Sequence, residues 1–227
     1  MMLGTYESEK AVHTYIPANV PRPIAWGSYQ TDENMYFYLA EFSEMVEEVP
    51  DPVPFVDIVA RLHQESSGKS PHGKFGFHVP THLANIPVKD KQEDTWEKCY
   101  TAVFAEMMEI EALAQGSDDE EFEELKRKMV ALVIPRLLRP LETGGRKVIP
   151  CLIHTDLWPG NCMLDANTDE IVIFDSCVMW GHNEADLGSW RASRYRMGTS
   201  YIQEYQRRIE VAVPQNDRDD RNLLYAL

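Results

Sequence analysis

Hydrophobic positions change period from segment to segment along the chain, and each change marks an element. In FVDIVARLHQES, residues Phe55, Ile58, Val59 and Leu62 fall on one helical face. DTWEKCYTAVFAEMMEIEALAQG repeats that spacing with Trp96, Tyr100, Val103 and Met107; Asp94 or Thr95 caps its start and Gly116 ends it. DDEEFEELKRKMVALVIPRLL predicts another helix, with Phe122, Leu125, Met129 and either Leu132 or Val133 facing inward. Its acids precede its bases, as the helix dipole prefers, so the acidic run reads as a solvated helix start rather than a binding tail. ESEKAVHTYIPA reads as a helix tail stopped before Pro17, and residues 200–210 read as helix again.

Shorter apolar runs predict strands. NMYFYLAEFSEM is aromatic and apolar and reads as a buried strand from Met35 to Glu41. VPRPIAWGSYQ is extended, because Pro21 and Pro23 resist helix. VIPCLIH is a short strand, TDLWPGN a loop, and CMLDANTDEIVIFD a hairpin that turns between Asp165 and Asp169 and ends in the strand Ile171 to Phe174. Residues 64–92, rich in Gly, Pro, His and Ser, read as irregular surface. The pattern as a whole is α+β: a short β-containing N-terminal part, then a mostly helical part with a small hairpin between helices.

Composition narrows the function classes. Lys plus Arg number 22 and Asp plus Glu 37, a net charge of −15. Such a chain is poorly suited to a phosphate backbone and lacks a polybasic patch for anionic lipid, so neither nucleic acid nor membrane is an expected partner. Cys99, Cys151, Cys162 and Cys177 form no C-x-x-C pair and no His cluster sits at zinc spacing, which fits a reduced, intracellular, cytoplasmic protein. MMLGTYESEKAVHTYIP has no apolar core of a secretory signal.

One stretch carries the chemistry. The apolar run Ile171–Phe174 delivers Asp175 at its end, and the partner strand begins at Asn161, so the two side chains can share one end of the hairpin. A hard cation such as magnesium takes oxygen ligands of this kind and completes its shell with phosphate oxygens. Asp156, in the loop just before, suits a carboxylate that accepts a hydroxyl proton. The spacing His154-Thr155-Asp156, four residues, Asn161, then Asp175 matches the kinase catalytic loop H-R-D-x-x-x-x-N followed by a metal-binding Asp. Turn chemistry accounts for each of the three residues singly but not for all together.

HTDLWPGN, IFDS and GHNEADL resemble the fructosamine kinase family, also called ketosamine-3-kinases or protein-ribulosamine 3-kinases, whose loop reads H-G-D-L-W-x-G-N. VPRPIAWG, FYLAEFSEM, GKFGFHV and IPRLLRPLETGGR resemble its fungal members, and the likeness covers nearly all of the chain. The resemblance implies a protein-kinase-like two-lobe fold, with a partial N-lobe and hinge over residues 1–43 and a helical C-lobe over 44–227. It implies ATP and Mg2+ as cofactors, and phosphorylation of the 3-hydroxyl of ketosamines, free or on glycated proteins, after which the unstable product sheds its sugar. Asp156 would be the catalytic base, and Asn161 and Asp175 the magnesium ligands. Glu41, Phe42 and Ser43 would form the hinge that meets adenine. Trp158 would flank the sugar, and His182 and Glu184 would contact the substrate or brace the site. His154 and Asp186 would give structural support to the metal-Asp segment and the catalytic loop. An acidic site wall would suit the cationic amine of such a substrate.

The chain departs from the family pattern in three places. No G-x-G-x-x-G precedes residue 30 and the first lysine is Lys10, so the N-lobe reads as clipped and the lysine clamp on the nucleotide phosphates is missing. Thr5 stands where the family has the glutamate that pairs with that lysine, and Glu7 is out of phase with it. Thr155 replaces a glycine whose backbone angle threonine resists. The chain also stops at RNLLYAL, where the family continues into further helix. Two alternatives therefore stay open: a catalytically dead kinase-like binding module, and a small-molecule kinase of aminoglycoside or choline type.

Overall fold

The computed structural model describes residues 1–89, 91–116 and 119–227. Helix α1 (Met2–Tyr15) precedes an antiparallel ribbon of β1 (Pro23–Tyr29) and β2 (Asp32–Ala40). A short β3 (Met45–Val46) leads into α2 (Pro52–Ser66), whose first-turn prolines are preset for helix. β4 (Thr81–Leu83) and β5 (Ile86–Val88) form a hairpin, followed by α3 (Trp96–Gln115) and α4 (Glu120–Lys128). A π turn over Met129–Val133 joins α4 to α5 (Ile134–Leu138). Next come β6 (Cys151–Ile153), β7 (Cys162–Asp165), β8 (Ile171–Ile173) and β9 (Met179–Gly181), then α6 (Thr199–Gln206) and α7 (Arg218–Tyr225).

β7 and β8 form the expected hairpin, and β3 joins it as a third strand. Asp165 Oδ1 shapes its turn by accepting from the backbone N–H groups of Asn167 (2.9 Å) and Thr168 (3.1 Å). β6, which leads into the polar loop, pairs with β9, the strand that follows the Asp175 segment. Asn19 ties the connection after α1 to β8: its Nδ2 donates to the Ile171 carbonyl (2.9 Å), and its own carbonyl accepts from Ile173 N–H (2.7 Å). The core centres on α2, where Phe55 packs against Trp190 (5.7 Å between ring centroids) and Tyr201 (6.0 Å).

Four expectations need correction. β2 is exposed rather than buried, with Tyr36 at 56% and Met35 and Leu39 close behind. Its apolar residues lie in a ribbon of only two strands, which α1 covers in part through Tyr6 against Tyr38. Residues 64–92 are not irregular surface; besides β4 and β5 they contribute buried Phe75, Phe77 and Val88, while Asp90 lies outside the described residues. Gly76 makes this possible. Its N–H and C=O bond the backbone of Trp180 at 2.9 and 3.0 Å, its φ is +94°, and a Cβ there would meet the Lys91 carbonyl oxygen at 2.0 Å. Leu125 and Leu132 face solvent rather than the core. α4 runs over the surface, and the π turn rotates Leu132 outward while Val133 stays half-buried. The last predicted helix ends at Gln206 rather than 210.

The predicted ends of α3 hold: Thr95 Oγ1 caps it by accepting from Lys98 N–H, and Gly116 stops it in the left-handed region. Asp119 caps α4 through Glu121 N–H (3.0 Å) and Phe122 N–H (3.2 Å), and Asp118 lies outside the described residues. Among the described residues no helix is long and apolar enough to cross a membrane.

Candidate active site

The loop from His154 to Asn161 leaves β6 and enters β7, and a buried carboxylate shapes it from below. Asp186 accepts from the backbone N–H groups of His154 (2.8 Å) and Thr155 (2.7 Å) and meets His63 Nε2 at 3.0 Å. Burial pushes its pKa up, but His63 and these N–H groups outweigh that and hold it below the usual carboxylate range. His63 is steadied in turn by Tyr205, whose hydroxyl lies 2.6 Å from Nδ1. His154 Nε2 faces the Phe174 carbonyl at 3.1 Å, and the His154 carbonyl accepts from Cys177 N–H at 3.1 Å. The loop is thereby stitched to the segment that carries Asp175.

Thr155 sits at φ +65°, in the left-handed region that favours glycine. Its N–H is held by Asp186, and its hydroxyl donates to the Cys177 carbonyl. These bonds maintain a conformation a β-branched residue disfavours. The result is that Asp156 is turned into a pocket, half-buried. Asn161 Nδ2 donates to the Asp156 main-chain carbonyl (2.8 Å) and to its carboxylate Oδ2 (2.9 Å). Burial raises the Asp156 pKa above the usual range, opposed by His154 and by the Asn161 bond, which makes the carboxylate a better proton acceptor.

Asp175 follows β8 and is also left-handed, at φ +58°. Cys162 pairs with Ile173, and Phe174 N–H donates to the Asn161 carbonyl (3.1 Å), so Asn161 and Asp175 share one end of the hairpin. The Asp175 carboxylate is exposed and accepts no side-chain hydrogen bond from the described residues; Asn161 spends its amide N–H on Asp156 and keeps Oδ1 free of them. Unclaimed hard oxygens on these two side chains fit a magnesium ion that brings phosphate oxygens with it. Among the described residues no cluster of three or more His, Cys, Asp or Glu has metal-binding geometry. Asp156 and Asp175 line one pocket of 380 Å³ with Thr5, Tyr36, His82 and Ser176.

Comparison with known proteins decides the family. The fructosamine kinase family model matches residues 2–227. The chain belongs to the fructosamine kinase family. It is 27% identical over 222 residues to a chloroplastic protein-ribulosamine 3-kinase of Oryza sativa subsp. japonica, covering 96% of this chain and 58% of that one. It is 32% identical over 117 residues to the ketosamine-3-kinase of Mus musculus, covering 50% and 34%. The chain thus spans under two thirds of the length of the curated relatives it matches. A Haemophilus somnus protein assigned as a fructosamine-3-kinase superposes at TM-score 0.72 with 18% identity, covering all of this chain and 70% of that one. Aminoglycoside phosphotransferase APH(4)-Ia, solved with AMP-PNP and hygromycin B, superposes at 0.59 with 16% identity, covering 98% and 72%. The fold is α+β and protein-kinase-like.

In this family member the remaining residues singled out by sequence take several places. Glu41, Phe42 and Ser43 connect β2 to β3; Glu41 N–H donates to the Arg22 carbonyl (2.9 Å), and Phe42 is 87% exposed. Trp158 packs on Tyr195 with ring centroids 5.3 Å apart. His182 is buried with Nδ1 at 3.0 Å from the Tyr225 hydroxyl, and burial depresses its pKa to about 4. Glu184 is buried against Arg221, accepting at 2.8 Å and 3.2 Å, and also accepts from Ala212 N–H. Glu7 lies near Lys10 (3.6 Å) and His78 (3.5 Å). The four cysteines are free and buried, and burial pushes the Cys99 and Cys162 thiols up to about 12, far from reactive thiolates.

Sequence reading missed Glu9, His63, Tyr205 and Arg221. His63 had a signal, since it follows Val59 by four positions on the buried face of α2. Glu9 and Arg221 had none: each sits in a charged run that reads as solvated.

Proposed function

We propose that this site transfers the γ-phosphoryl group of ATP to the 3-hydroxyl of a ketosamine, free or on a glycated protein. The observation that carries the reading is the convergence of Asp156, bonded by Asn161, with Asp175 on one pocket. Asp156 takes the hydroxyl proton as the oxygen bonds to phosphorus and ADP departs. Asn161 and Asp175 would hold Mg2+, which when bound supplies neutralisation of phosphate charge. Glu41, Phe42 and Ser43 would offer backbone groups to adenine. Trp158, on its Tyr195 support, would flank the sugar. His182 and Glu184, held by Tyr225 and Arg221, would brace the site rather than touch the substrate. The phosphorylated ketosamine then sheds its sugar and frees the amine, a repair reaction. Buried free cysteines support a reducing compartment, and we place the protein in the cytoplasm.

A second reading, a binding module that holds ligand without transfer, draws on the pocket lining, in which the described residues include no lysine or arginine to stabilise phosphate charge. The deciding experiment is transfer from Mg-ATP to a ribulosyl-lysine peptide, with Asp156→Asn as control. Transfer that disappears in the variant supports the kinase. No transfer by folded protein would sink this chain as a kinase and leave the binding module standing.

A further inference from the structure

Ser176, directly after Asp175, is gripped from the far end of the chain. Glu9 on α1, 3% exposed, accepts at Oε1 from Ser176 N–H (2.7 Å) and from Ser176 Oγ–H (2.9 Å). A buried carboxyl group spent on one residue of a short segment fixes that segment's height and rotation. The segment needs fixing, because Asp175 is a non-glycine residue at φ +58°. On its other side it is held by Cys177, through the His154 carbonyl and through Thr81 Oγ1 at 3.2 Å.

The same helix forms the pocket wall. Met2 and Thr5 of α1 line it, and Gly4 lies so close to the β4–β5 hairpin that a Cβ there would meet the Pro80 carbonyl oxygen at 2.2 Å. α1 is therefore fastened to the hairpin at its N-terminal half and to the Asp175 segment at its middle.

We propose that Glu9 is a positioning residue for the metal site: through Ser176 it holds Asp175 in the left-handed conformation that presents its carboxylate to the pocket. The inference rests on the reading of Asp175 as a magnesium ligand. It places a determinant of metal affinity on α1, well away in sequence from the ligands.

The test is Mn2+ binding by the full chain with saturating AMP-PNP, with free Mn2+ read by electron paramagnetic resonance, alongside thermal unfolding without metal. Glu9→Gln keeps an acceptor oxygen for both Ser176 donors and should bind Mn2+ within about threefold of wild type. Glu9→Leu should lose at least about tenfold, the scale seen when groups behind a metal ligand are removed. Ser176→Ala keeps one of the two bonds and should fall between them, and it carries the test if Glu9→Leu does not fold. Wild-type affinity in folded Glu9→Leu, or in Ser176→Ala should the former not fold, overturns the positioning role and leaves the metal site intact. Failure of wild type itself to bind Mn2+ with AMP-PNP overturns both.

Discussion

The His154–Asn161 loop, with the Asp175 segment, and the β1–β2 ribbon face one pocket, yet they are built by opposite means. The loop and the Asp175–Cys177 segment beside it are short and irregular, left-handed at Thr155 and Asp175, and held by buried bonds: Asp186, His154 and Asn161 hold the loop, and Glu9 holds Ser176. The ribbon is paired in continuous antiparallel register except for shifts at Pro23/Ala25 and Ser28/Tyr29, but both its strands carry half-exposed aromatics and, among the described residues, it joins no larger sheet. A lone two-stranded ribbon is marginal in water, so its order here depends on α1. The lesson is that strand pairing is not what holds this site in place. Precision sits where the backbone is least regular, because that is where polar groups have been paired inside the protein.

That contrast can be broken, beginning with its strongest member. Asp186→Ala strips the acceptor from two backbone N–H groups and from His63, and should cost about 3–5 kcal/mol in urea unfolding. If it costs under 1 kcal/mol, the loop is not held from below. Glu9 gives a pH signature. Burial raises its pKa from 4.5 to about 7, so the folded state favours the protonated acid. Its contribution is fully present below pH 4.5 and is lost as pH rises to about 7, a decline of about 3 kcal/mol at most. Metal-free unfolding of wild type and Glu9→Gln across that window should differ in slope, with the variant flatter.

Thr155 separates strain from bonding. Thr155→Ala loses the hydroxyl bond to Cys177 and keeps the left-handed strain, whereas Thr155→Gly loses both. The glycine variant should be about 1–2 kcal/mol more stable than the alanine variant, and equal stabilities would mean the loop stores no strain. The ribbon should show the smallest effect. Tyr36→Thr, at a half-exposed strand position, should change stability by within about 0.5 kcal/mol, measured in the same urea series.

Local patterns were read well where one segment decided its own structure. Helix α2 showed its buried face, α3 both its ends, and the β7–β8 hairpin its turn. The motif from His154 to Asp175 located the pocket-lining carboxylates. What failed depended on distant partners. β4 and β5 are three residues each, too short for a period to emerge, and Gly76 is pinned by Trp180, which no neighbouring residue announces. β2 has the composition of a covered strand, but composition does not say whether a cover exists. Glu9 lies in ESEK, where charge suggests solvent, and only the approach of Ser176 buries it.

The clamp between α1 and Ser176 also bears on how the protein is assembled. Glu9 and Ser176 lie 167 positions apart, and Asn19 reaches Ile171 across 152. Closing loops of that size is entropically costly and slow, while helices such as α2 and α3 form from near neighbours. A refolding chain should therefore regain most of its helical signal before the pocket of Asp156 and Asp175 forms. Molecules interrupted in between would look folded by circular dichroism and contain no site.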